Sequence, residues 1–366
     1  LMRLIYNSII LLLFINIQAF SQNIQSPSEF LGYEIGTQFS RHSQVIDYFD
    51  YVSNKLPENV IMEKYGETYE RRPLYLAYIS SKENIKNIDL IRKNNLSNAG
   101  VIKKEINSSI NKDIAIVWLS YNVHGNESSS TEASMKTLYL LLTKNSNLLD
   151  NTIVIIDPCI NPDGRDRYAN WYNQTVTIPY NTNSKSREHD EPWPGGRANH
   201  YLYDLNRDWA WITQTESKSR LKIYNKWLPH VHVDYHEQGI DNPYYFAPAV
   251  EPYHEIISKW QRDFQKEIGK NNAKYFDQNG WLYFTKETFD LLYPSYGDTY
   301  PTYLGAIGMT YEKAGGGVAG LGILNSENKV LTLVDRVNHH TTTGISTVEI
   351  SSINAKKLND EFKLFF

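Results

Sequence analysis

Four runs of apolar residues along the chain each stop abruptly at polar or charged positions. Ile114 to Tyr121 gives way to Asn122 and His124, Thr152 to Ile156 to Asp157, Val231 to Tyr235 to His236, and Ile307 to Tyr311 to Glu312. Their lengths and β-branched content predict buried strands. After the first run, Met135, Leu138, Tyr139 and Leu142 repeat at helical spacing, behind a capping-box pattern at Ser129 and Glu132. Thr215 to Trp227 predicts a second helix, Val45 to Leu56 an earlier one, and about Val330 to His340 a closing one. Val60 to Tyr69 and Leu74 to Ser80 predict a pair of strands, and the Asn- and Lys-rich stretch Lys82 to Asp113 a solvated surface helix and loop. Strands alternating with helices, without repeat or interdomain linker, predict a single α/β domain: a mixed, mostly parallel twisted sheet flanked by helices. Open sheets of this kind bind ligands beyond the carboxyl ends of their strands. The four polar strand ends therefore point to one crevice.

Composition narrows the picture. Arg3, the apolar run Ile9 to Ile15 and the small residues Ala19 and Ser21 form a secretory leader pattern, which divides the chain into a signal peptide at 1–21 and a catalytic domain at 22–366. The apolar run is too short to span a bilayer, so no stable membrane association is expected once the leader is removed; the mature protein is expected to be secreted or periplasmic. The formal charge is -4, and losing Arg3 makes it -5; with no basic stripe, nucleic acid is excluded as a partner. Cys159 is the only cysteine, so no internal disulfide forms; its apolar surroundings predict a small buried residue rather than a nucleophile.

The chemistry starts at His124-Gly125-Asn126-Glu127. With 10 His and 41 acidic residues, roughly one His followed three places later by a carboxylate is expected by chance, so the spacing counts only because it stands at a strand end. His236 is the natural third ligand. Two imidazoles and one carboxylate, with a fourth position open, are the donor set of a catalytic zinc site, one ion per chain. His230, His232, Asp234 and His236 share one strand face, so parity cannot choose among the histidines; the strand end favours His236, with His232 the alternative and Asp234 a supporting residue. In Asp204-Leu205-Asn206-Arg207, an amide beside a guanidinium suits a carboxylate ligand. Asn161-Pro162-Asp163-Gly164 reads as a turn, and Pro194-Gly195-Gly196-Arg197 as a glycine-rich approach aiming Arg197 at the crevice.

In this order and spacing the motifs resemble the zinc metallocarboxypeptidases of the carboxypeptidase A-like, or funnelin, family, from about Gly32 to Ser352. The resemblance implies a carboxypeptidase A-like fold and an enzyme that removes C-terminal residues from peptides or proteins. It implies zinc on His124, Glu127 and His236, Asn206 and Arg207 holding the terminal carboxylate, and Glu312 as general base. It also implies Tyr300 as a tyrosine that closes on substrate and Arg197 as the group polarising the scissile carbonyl, with Arg165 and Arg167 as alternatives. Two features depart from the digestive enzymes: Asn126 stands where they carry arginine, and the stretch from Tyr300 to Glu312 is short. The acidic cluster Glu188 to Glu191, in a polar stretch that covers the crevice rim, reads as a solvated loop, with a second metal site as the alternative. Two other functions stay open: a zinc amidohydrolase acting on peptidoglycan stem peptides or acylated amino acids, and a catalytically silent peptide-binding module.

Overall fold

A computed structural model describes residues 24–103 and 113–366. The leader expected at 1–21 lies outside them. In chain order the elements are α1 (Pro27–Leu31), α2 (His42–Lys55), β1 (Val60–Glu67), β2 (Pro73–Ile79), α3 (Lys82–Lys86), α4 (Ile88–Asn98) and β3 (Ala115–Tyr121). There follow α5 (Ser129–Leu142), β4 (Thr152–Asp157), α6 (Pro162–Thr175), α7 (Thr215–Tyr224), β5 (Val231–Gln238), β6 (Tyr244–Tyr245), α8 (Lys259–Asn279) and β7 (Tyr283–Phe284). The chain closes with α9 (Thr299–Tyr303), β8 (Ile307–Ala314), β9 (Gly322–Leu324), β10 (Val330–Thr332), α10 (Leu333–Ile353) and α11 (Ala355–Phe365).

Among the described residues the main sheet has eight strands in the order β1-β2-β4-β3-β5-β8-β6-β7. Its centre, β4-β3-β5-β8, is parallel, flanked by antiparallel pairings of β2 on β4 and β6 on β8. The central strands are buried almost throughout because both faces are covered, even where β5 carries His232 and Asp234. Val117, Leu119 and Tyr121 pack into the core under α2, α5, α8 and α10, whereas Ile116 and Trp118 meet Ile91 of α4 and Leu221 and Tyr224 of α7 on the other side. No helix among the described residues is long and apolar enough to cross a membrane.

The mixed, mostly parallel sheet flanked by helices is as expected, and local departures have tertiary causes. Ser129 and Glu132 do not form a capping box: Ser129 binds Glu237 through its backbone N–H and its hydroxyl, and Glu132 accepts from the Ser40 N–H (2.7 Å), the Ser40 hydroxyl (2.8 Å) and Arg165 (2.5 Å). Asn161 begins α6 instead of a free turn, its side chain accepting from the Gly164 N–H at 3.0 Å as an N-cap. Cys159 is buried, as expected. The long helix α8 was not read from the sequence, although Trp260, Phe264 and Ile268 recur every four residues along it.

Candidate metal centre and active site

Parallel pairing brings three strand ends into line. In the β5–β8 register His236 sits opposite Glu312, and Ser120 of β3 opposite Asp234, so the segment after β3 carries His124 and Glu127 alongside His236. Glycine makes the close approach possible. A Cβ on Gly125 would collide with the backbone at Gly164 and with the Gly196 carbonyl, so three glycines from three separate motifs pack against one another. That contact draws the 194–197 segment onto the metal motif, where the Gly125 N–H donates to the Arg197 carbonyl at 3.3 Å.

His124 Nδ1 lies 2.9 Å from Glu127 Oε1, and His236 Nδ1 lies 3.2 Å from His124 Nδ1 and 3.1 Å from Glu127 Oε2. All three residues are buried, and among the described residues they are the one His/Cys/Asp/Glu group able to hold a metal ion. Zinc bonds of 2.0–2.1 Å in tetrahedral array set ligand atoms roughly 3.3 Å apart. The donor set fits zinc in both chemistry and spacing. Each imidazole presents Nδ1 inward and backs its Nε2 on a carboxylate: Asp204 Oδ1 at 2.9 Å from His124, and Asp234 Oδ2 at 3.1 Å from His236. Such backing fixes the tautomer and ring orientation of a ligating histidine. Burial opposes ionisation of Glu127, but His124 and His236 hold its carboxyl well below the usual carboxylate range. Burial likewise opposes ionisation of Asp204, and His124, Arg197 and Arg207 outweigh it. His236 is buried too, yet Asp234 and Glu127 raise its pKa well above the ordinary value, which marks a place where the fold wants positive charge.

Around these donors is a crevice of about 360 Å³ whose lining includes Arg197, Asn206, Arg207, Asp234, Asp298 and Glu312. Arg197 donates to Glu127 Oε1 at 2.9 Å and to Asp204 Oδ2 at 3.2 Å, with its side chain half-exposed. Asn206 directs Nδ2 at His236 Nε2 (3.3 Å) and accepts from the Gly297 N–H through Oδ1 (2.7 Å). Arg207 stacks on the Tyr296 ring at 4.6 Å. Glu312 is buried; burial pushes its carboxyl up to about 8, with His236 pulling it down and Glu127 adding to the rise.

The structure thus brings His124, Glu127, His236, Asn206, Arg207, Arg197 and Glu312 together. It does not bring Tyr300. That residue sits in α9 with its ring 5.8 Å from Trp209, among the apolar contacts of the face covered by α7, and Tyr296 lines the crevice in its place. Arg165 is fully buried on the carbonyls of Ser40 and Ser128 and on Glu132, and Arg167 donates to the carbonyls of Gly195 and Asn199, so neither reaches the crevice. His232 is enclosed by Trp118, Trp209 and Tyr224, away from the donors. The acidic cluster is neither a solvated loop nor a metal site. Glu188 accepts from Thr177 and the Asn181 N–H, and the buried His189 ring bridges the carbonyls of Val318 and Asn181. Glu191 accepts from Asn126 Nδ2 at 2.8 Å and from the Gly196 N–H, so the departing residue Asn126 anchors the rim. Sequence reasoning missed Tyr296 and Asp298, and gave Asp204 no role of its own. Only Asp204 had a local signal, two residues before the amide–guanidinium pair.

An open, mostly parallel α/β sheet with a buried His-Glu-His donor set at its strand ends defines a metal-dependent hydrolase of the carboxypeptidase type. Residues 45–274 match the sequence family described as zinc carboxypeptidase, and the chain belongs to that family; it is a zinc metallocarboxypeptidase. Solved structures share the fold. The metallo-carboxypeptidase from Burkholderia cenocepacia is 14% identical, with 87% of this chain and 70% of that one covered at a TM-score of 0.58. Thrombin activatable fibrinolysis inhibitor is 15% identical (92% and 79% covered, TM-score 0.59), and carboxypeptidase A from Helicoverpa armigera is 15% identical (93% and 76%, TM-score 0.55). No curated protein sequence matches the chain.

Proposed function

We propose that the chain is an exported carboxypeptidase that hydrolyses the C-terminal peptide bond of peptides or proteins, with residues 1–21 as its cleaved leader and 22–366 as its catalytic domain. His124, Glu127 and His236 would hold one zinc ion, with Asp204 and Asp234 behind the two imidazoles. Bound zinc supplies a Lewis acid and lowers the pKa of water towards ~7. Glu312 accepts the proton of the attacking water and returns it to the leaving amine, a role its buried position opposite His236 suits. Arg197, free to turn because it is half-exposed, moves from Glu127 to the scissile carbonyl and shares the charge that develops there. Asn206 and Arg207 receive the terminal carboxylate, and Tyr296, stacked on Arg207, closes over it in the part first expected of Tyr300.

The single observation that carries this reading is the β5–β8 register, which sets a buried glutamate beside a candidate metal ligand at the mouth of a crevice that ends in an amide–guanidinium pair. The test is a peptide series with free and amidated C-termini. Cleavage of the free forms alone is expected. Equal cleavage of amidated peptides would remove the Asn206–Arg207 clamp and favour an amidohydrolase. N-terminal sequencing of the mature protein tests the leader.

A further inference from the structure

On the face of the sheet opposite α7, helices α5 and α8 both pack on α10. Towards their C-terminal ends lies a cavity of about 490 Å³ that shares no residue with the crevice. Lys136 of α5, Lys144 and Asn145 just after it, Asn279 at the end of α8, Trp281 and Asn338 of α10 stand around it. The cavity collects positive charge that the protein leaves unanswered. Lys136 is half-buried and donates to Asn338 Oδ1 at 2.6 Å, and among the described residues neither it nor Lys144 forms an ion pair. Burial lowers the Lys136 pKa and the charge of Lys144 lowers it further, while Glu34 acts in the opposite sense without an ion pair to it. Two like charges beside one cavity favour an anion there.

The neutral groups say what else that anion must carry. Asn145 and Asn279 direct their Nδ2 donors at the carbonyls of Leu140 (3.2 Å) and Tyr275 (2.8 Å), so each amide keeps an Oδ1 that accepts from no described group. Asn338 is the reverse: its Oδ1 is taken by Lys136, and its Nδ2 remains. Bare acceptors call for a ligand that donates hydrogen bonds, which a plain aromatic or fatty acid cannot do. Trp281, held by His339 at 4.1 Å and by Phe276 at 5.3 Å, adds a fixed, half-buried ring to the wall. An aromatic surface, amide donors and acceptors, and two cations together match a sugar ring with its hydroxyls and one acidic group.

We propose that this cavity binds an acidic sugar, its carboxylate or phosphate on Lys136 and Lys144, its ring against Trp281 and its hydroxyls on the amides of Asn145, Asn279 and Asn338. The site stands apart from the crevice and does not depend on the peptidase reading.

Calorimetry on zinc-loaded full-length protein compares glucuronate and glucose 6-phosphate with glucose, which lacks the charge, and with benzoate and inorganic phosphate, which lack the sugar ring. At least one acidic sugar should bind with a Kd of about 1 mM or tighter, and which of the two it is tells carboxylate from phosphate. It should bind at least about tenfold more tightly than any of the three controls, as expected where a hydrogen bond to a charged partner is lost. Two variants at exposed positions place the ligand. Lys144→Gln should remove most of the advantage over glucose and leave kcat/KM for peptides unchanged, and Asn279→Leu should weaken the acidic sugar without altering its preference over glucose. The proposal is overturned if neither acidic sugar saturates below about 10 mM, if glucose, benzoate or phosphate binds as tightly, or if affinity is undiminished in Lys144→Gln.

Discussion

Glu127 and Glu132 lie five residues apart after the same strand, both buried and both paired to an arginine, yet they belong to different kinds of region. Around Glu132 every partner is a fixed protein group: the Ser40 N–H and hydroxyl, and Arg165, which is itself satisfied by two backbone carbonyls. Around Glu127 two imidazoles turn the same nitrogen towards it, and its arginine is half-exposed and shared with Asp204. A closed set of partners holds α5 and α6 together. An open set, with donors converging and a cation able to leave, is what a reaction needs. Pairing an acid with an arginine does not distinguish the two; the exposure of the arginine does.

The largest effect that would sharpen this contrast belongs to Glu312. Glu312→Gln should lower kcat by about 10³-fold or more while zinc content, measured by metal analysis, and thermal midpoint stay unchanged. A large drop in midpoint would move Glu312 from the open region to the closed one. Next comes Arg165. Arg165→Met strands Glu132 as a buried charge and should cost about 3–5 kcal/mol in urea unfolding, while the double variant Arg165→Met, Glu132→Gln should recover much of it. Lost activity at full stability in Arg165→Met would break the comparison. Arg197→Ala is the counterpart in the crevice: kcat/KM should fall about 10²-fold, with stability changed by less than about 1 kcal/mol because Arg197 is half-exposed and Glu127 keeps His124 and His236 as partners.

How far each region was legible follows from the range of the interactions involved. The strand ends could be read because an apolar run that stops at His236 or Glu312 is a local pattern, and parallel pairing then aligns the ends. Ser129 and Glu132 were misread as a cap because their partners, Glu237, Ser40 and Arg165, lie tens of residues away and outcompete a local bond. Tyr300 was misplaced because the clustered tyrosines of 293–303 give no local means of choosing. The helical turn of α9 rotates Tyr300 onto Trp209 and leaves Tyr296, ahead of that turn, over Arg207. Asp234 was legible as a strand residue on the ligand face; that its carboxylate backs His236 and is sealed by the backbone of Gly297 could come only from tertiary packing.

Asp157, at the end of β4, is a third buried acid and the finest test of the distinction. It accepts from the Tyr65 hydroxyl at 2.8 Å, and Arg220 is near enough to act on its charge without any hydrogen bond between them. Burial raises Asp157 to about 7, and the Tyr65 bond and the Arg220 charge only partly offset it. A carboxyl with a folded-state value above its unfolded one holds a proton that the unfolded chain has already released. Stability from this group therefore declines as pH rises from about 4 to about 7 and is level above that. Asp157→Asn keeps an acceptor for Tyr65 but cannot ionise. Relative to the parent it should gain stability progressively across that window, by up to about 3–4 kcal/mol at neutral pH, measured by urea unfolding at several pH values. A parallel pH profile for the two proteins would mean that Arg220 already neutralises Asp157, placing it with Glu132 among the closed pairs. A profile that diverges with rising pH would make it a third state, buried and fixed but unpaired, which neither Glu127 nor Glu132 represents.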